Sequence, residues 1–205
     1  MKPRFASGWM AAALLLAQSN AAEAHIVAAR LGDFYMGALH PFTDLRDIIL
    51  WTAMGVLAGS LGASRGRWLI LVFPLGLLAG LQIGRTFGAP STGLVDAAMA
   101  LAMGLMLAAT ARIPTSLLCA IAFALAAIRG AASGTDLGAN TDRLLFAAGL
   151  ACAGYVFITL TMALTVMFLR TEPGGPASWR TIAVRALGGW IAAIGLMMAS
   201  LVLAT

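Results

Sequence analysis

Six apolar segments, each near or above the ~20 residues that the hydrocarbon core of a bilayer requires, restrict this chain more than any other feature. They cover about 36–62, 68–84, 92–111, 115–132, 144–169 and 182–203. In hydrocarbon every backbone N–H and C=O must be satisfied internally, and apolar runs of this length without strict alternation do so as α-helices. The breaks between them are rich in helix-ending residues: Arg65-Gly66-Arg67, the stretch around Pro90, Arg112-Ile113-Pro114, residues 130–142, and Glu172-Pro173-Gly174-Gly175-Pro176. With 61% of its 205 residues hydrophobic and 10% charged, the chain falls outside the soluble globular class. The expected fold is an all-α integral membrane protein of six transmembrane helices, with no second domain.

Residues 1–24 have the three parts of a secretory signal: Lys2 and Arg4, an apolar stretch from Trp9 to Gln18, and Ala22-Glu23-Ala24 as a cleavage site. Cleavage leaves residues 25–205 as the membrane domain and His25 as the new N-terminus, outside the cytoplasm. A terminal His offers an amine and an imidazole, a two-nitrogen grip on a transition-metal ion, although His25 is equally well read as the start of a mobile tail. With an outer N-terminus, the connections carrying Arg65, Arg67, Arg112, Arg170 and Arg180 become cytoplasmic, and the outer ones hold fewer cations. The positive-inside rule thus agrees with the signal. Both termini are expected outside, in a multi-pass protein of a bacterial inner membrane. The 13 Lys and Arg against 8 Asp and Glu set topology and give no reason to expect a nucleic-acid partner.

Charge within these segments is the functional clue, because an ionised side chain in hydrocarbon costs at least ~2.5–3.5 kcal/mol unless paired or hydrated. In His40-Pro41-Phe42-Thr43-Asp44-Leu45-Arg46-Asp47, the residues His40, Asp44, Asp47, Trp51 and Met54 share one face if the segment is helical; Arg46 lies off that stripe. Asp96 opens the third segment and Arg129 closes the fourth. All five charges belong to the outer half on this topology. Three carboxylates with Arg46 and Arg129 would leave one net negative charge, able to accept a cation or a proton, or else form a static ion-pair network. Asp96, Met99, Met103 and Met106 recur at helical spacing, and the thioethers are best read as packing.

Other features bear on fold. Gly55 and Gly59, and Gly76, Gly80 and Gly84, repeat the GxxxG spacing that brings helices close. Cys119 and Cys152 lie within apolar segments without metal-like spacing and are expected as buried free thiols. No nucleophile elbow, CxxC, HExxH or phosphate loop is present, so an enzyme is not expected.

The mature His25, the His40-Pro41 entry to the first span, the Leu94-Val95-Asp96 entry to the third and the Ile128-Arg129-Gly130 exit of the fourth resemble the HupE/UreJ family of small membrane proteins. The resemblance implies a nickel or cobalt permease, with no permanently bound cofactor and Ni²⁺ or Co²⁺ as the transported ion. It extends over essentially the whole mature chain in helix number and order. The family's first-helix pattern, about His-Pro-x-x-Gly-x-Asp-His, is altered: Asp44 stands for Gly, Arg46 for Asp and Asp47 for the second His. Val95-Asp96 replaces Val-Glu, and Arg129-Gly130 replaces His-Gly. If the chain is a permease, its outer metal site is expected to be built from this chain's own His25, His40, Asp44, Asp47 and Asp96, with Arg46 and Arg129 as ion-pairing cations. The alternatives are a non-transporting scaffold or accessory subunit in which Arg–Asp pairs replace the metal, and a proton-coupled carrier of another solute. Expected partners are the lipid bilayer, a transition-metal ion, and a homo-oligomer or membrane-complex subunit.

Overall fold

The computed structural model describes residues 32–89, 92–135, 137–138, 140–170 and 179–204. The signal segment, its cleavage site and His25 lie outside the described residues. Among the described residues there is no strand. Six long helices account for most of them: α1 (Leu45–Ser60), α2 (Leu69–Phe87), α3 (Gly93–Ala108), α4 (Thr115–Thr135), α5 (Arg143–Leu169) and α6 (Trp179–Ala204). A helical stretch at 32–39, a 3₁₀ turn at His40–Phe42 and one short helix at Ala63–Gly66 complete the set.

Among the described residues, four apolar helical stretches are long enough to cross a membrane: Ala63–Phe87, Thr115–Thr135, Arg143–Leu169 and Trp179–Ala204. α1 and α3 have 16 residues each, about 24 Å at 1.5 Å per residue, and fall short of a ~30 Å core. The continuous span expected at 36–62 is therefore broken. Pro41 at the start of the 3₁₀ turn has no amide hydrogen, and Asp44 takes an extended backbone as N-cap, its carboxylate accepting from the Arg46 amide at 2.9 Å. At the α5 start, Asp142 caps through the amides of Leu144 and Leu145, and its own amide donates to Asp33 at 2.8 Å, tying the 32–39 stretch to α5.

Helices pair out of chain order. The most extensive contacts join α2 to α4 and α3 to α6, with α1 against α5. Glycines make these approaches feasible. A methyl group on Gly80 or Gly84 would run into the carbonyls of Ala127 or Ala131 on α4, and one on Gly130 or Gly134 would meet Leu77 or Leu81 on α2. Gly55 and Gly59 seat Thr161 and Thr165 of α5, so both GxxxG runs are packing faces. Gly104 on α3 opposes Gly188 and Ala192 on α6. Leu50, Met54, Leu57, Phe73, Leu77 and Leu150 fill the centre, and Trp51 stands edge-on to Phe73 at 5.1 Å. Cys119 and Cys152 are free but not buried: Cys119 is half-buried and Cys152 is on the outer surface, since the α5 face that carries it has no packed neighbour.

Candidate cation site around Arg129

Helix ends set this site. Asp44 caps α1 and Asp47 lies in its first turn, Asp96 in the first turn of α3, where a carboxylate also favours the positive end of each helix dipole. α4 runs the other way and brings Arg129 to the same level near its C-terminal end. The guanidinium engages all three acids. Nε and Nη2 grip the two oxygens of Asp47 at 2.6 and 3.1 Å, Nη2 also donates to Asp44 Oδ2 at 2.6 Å, and Nη1 donates to Asp96 Oδ2 at 2.9 Å. Thr92 adds its hydroxyl to that same Asp96 oxygen at 2.7 Å. Charge-assisted forks of this kind are about twice as strong as neutral hydrogen bonds and fix orientation as well.

Burial divides the three acids. The Asp47 and Asp96 side chains are 4% and 1% exposed, whereas that of Asp44 is 40% exposed. A recess of about 190 Å³ opens beside the cluster, walled by His40, Thr43, Asp44, Arg46, Thr92 and Ser133 among others. Farther along α1 toward Ser60, buried Trp51 and Met54 close the apolar interior. Three carboxylates facing one guanidinium are an imbalance that a further cation or bound proton offsets.

The structure thus brings Asp44, Asp47, Asp96 and Arg129 together and keeps Arg46 apart. Arg46 is exposed on the recess wall and forms no ion pair within 4.0 Å among the described residues, so the cluster holds one guanidinium where two were expected. The reason is its position off the Asp44–Asp47 stripe. His40 also lines the recess, its ring edge-on to Phe146 at 5.6 Å. The acids converge on the guanidinium rather than on an open point, and among the described residues no three His, Cys, Asp or Glu side chains are disposed to hold a metal ion. Met103 belongs to the buried core and Met99 and Met106 pack against it, the role expected for them, while all three edge an apolar groove with Leu94, Val95 and Ile121. Thr92 and Ser133 were not singled out from sequence; Thr92 stands four residues before Asp96, one helical turn, which is the available signal.

Fold and site together define a polytopic α-helical membrane protein with an arginine-centred acid cluster at one end of its bundle. The family model described as HupE / UreJ protein matches residues 12–198, and the chain belongs to that family. The family is linked to nickel or cobalt uptake or to accessory function and is not an enzyme family. Neither a curated protein nor a solved structure matches the chain.

Proposed function

We propose that this chain is a divalent-metal permease, with nickel or cobalt as its substrate and the Asp44–Asp47–Asp96 cluster as its outer cation site. The observation that carries the reading is three carboxylates on a single guanidinium, in a recess open at Asp44 and closed beyond Asp47 by Trp51 and Met54. A cation arriving at Asp44 and His40 competes with Arg129 for carboxylate oxygens, so the guanidinium acts as an internal counter-ion that yields when metal binds. Imidazole and carboxylate accept Ni²⁺ and Co²⁺ but prefer Cu²⁺, and metal supply then decides which ion is carried. His25 at the mature N-terminus supplies a further imidazole in this reading. α1 and α3, though short, complete six spans, with the signal segment removed, both termini outside and the bundle in a bacterial inner membrane. The cation excess at the end opposite the acids supports that orientation.

A second reading is favoured by the completeness of the Arg129 fork: a non-transporting scaffold or accessory subunit whose helix order is fixed by the ion pairs. Accumulation of ⁶³Ni or ⁵⁷Co by cells making the chain separates the two. The permease raises accumulation above cells without it, and Asp96→Asn abolishes the gain. Equal accumulation with and without the chain rules out the permease reading.

A further inference from the structure

At the end of the bundle opposite the acid cluster, two cavities adjoin. One is a recess of about 360 Å³ with Ser60, Thr110, Arg112 and Thr181 in its wall. The other is a groove of about 510 Å³ whose wall includes Val56, Leu164, Phe168 and Leu187, residues of α1, α5 and α6. Val184 belongs to both. The groove exists because α6 packs on α3 and touches α5 only sparingly, which leaves a lateral opening between α5 and α6. Leu164 and Leu187 are exposed along it.

Among the described residues, charge at this end has one sign. Arg65, Arg67, Arg112, Arg170, Arg180 and Arg185 surround it, while the acids among the described residues (Asp33, Asp44, Asp47, Asp96 and Asp142) stand at the other end; Glu172 belongs to the undescribed 171–178. Two of the arginines are committed to the fold. Arg180 donates to the carbonyls of Phe168 and Arg170 at the end of α5, and Arg185 donates to that of Ala108 at the end of α3. Arg112 lines the recess and, among the described residues, has no ion-pair partner within 4.0 Å. Beside it, Thr110 is held at φ 52°, the left-handed region, where the chain turns from α3 toward α4.

We propose that these cavities bind one anionic phospholipid, with its phosphate against Arg112 in the polar recess and an acyl chain in the groove between α5 and α6. A cationic mouth continuous with an apolar slot, open to the side of a membrane-embedded bundle, matches an amphiphile with a negative head and an apolar tail. A soluble anion would leave the slot unfilled, and a zwitterionic lipid would leave the surrounding cations uncompensated. The inference does not depend on metal transport.

The test measures the thermal unfolding midpoint of the purified full chain in zwitterionic detergent while titrating phosphatidylglycerol, phosphatidylcholine or inorganic phosphate. Phosphatidylglycerol should raise the midpoint saturably and the other two should not. Arg112→Gln, at an exposed position, should unfold as the wild type without lipid and require about fivefold more phosphatidylglycerol for the same shift. Val184→Trp, which fills the shared wall, should lose the shift. Equal responses to phosphatidylcholine, a full response to phosphate alone, or an Arg112→Gln titration matching wild type would each overturn the proposal. So would a light-scattering mass of two chains with no lipid-dependent shift, which assigns the groove to a second copy.

Discussion

Arg129 and Asp47, 82 positions apart in sequence, meet in a two-point fork, Nε to Oδ1 at 2.6 Å and Nη2 to Oδ2 at 3.1 Å. The fork joins α4 to α1, two helices that otherwise touch little, through side chains almost wholly withdrawn from solvent. Removing one member of a buried pair leaves the other uncompensated, which costs about 3–5 kcal/mol. Arg129→Gln should therefore lower stability by that order, measured by chemical denaturation in detergent. Adding Asp47→Asn should restore part of the loss. An additive double-mutant cycle would remove the coupling that the geometry requires.

Thr92→Val retains shape and deletes the hydroxyl that donates to Asp96. The expected loss is about 1 kcal/mol, the ordinary net value of a hydrogen bond, with the upper end set by its charged acceptor. Thr92→Ser, which keeps the donor, should stay near wild type in the same denaturation measurement.

Arg46→Gln contrasts with Arg129→Gln. Arg46 is exposed and outside the ion-pair core, so its loss should change stability by less than about 0.5 kcal/mol. Because it places a positive charge on the wall through which a cation would arrive, its removal should increase initial metal uptake at low ionic strength. An unchanged uptake rate at every salt concentration would argue against that route.

Glycine contacts separate packing faces from lipid-facing ones. Gly80→Val places side-chain atoms against the Ala127 carbonyl and should abolish folded protein or cost at least ~3 kcal/mol. A Cβ at Gly189 meets nothing within 4 Å, so Gly189→Val should leave the protein folded, as judged by gel-filtration profile and melting midpoint.

Much of this arrangement was legible in the chain. The α2 glycines at a four-residue spacing marked the face that meets α4, and the cost of charge in hydrocarbon singled out Asp44, Asp47, Asp96 and Arg129 before any contact was visible. Segment hydropathy was less exact at the beginning. It merged the 3₁₀ turn at His40 with α1, because apolar content does not register the extended backbone that Asp44 adopts as a cap. Arg46, counted from sequence among the ion-pairing cations, stays outside the cluster, because neighbours on a helix point about 100° apart and the partner of Asp47 comes from α4. Non-sequential pairing of α2 with α4 and α3 with α6 has no local signature, since each apolar helix could bury its stripe against several others.

A cation site formed by the acids around Arg129 requires that the chain bind a divalent metal ion. Equilibrium titration of the purified chain with Co²⁺, followed by its visible absorption and by calorimetry, tests it most directly. One ion should bind per chain, and that binding should be lost in Asp96→Asn, with the variant's melting profile confirming that it is folded. Absence of Co²⁺ and Ni²⁺ binding to the wild-type chain, or undiminished binding in folded Asp96→Asn, would contradict it.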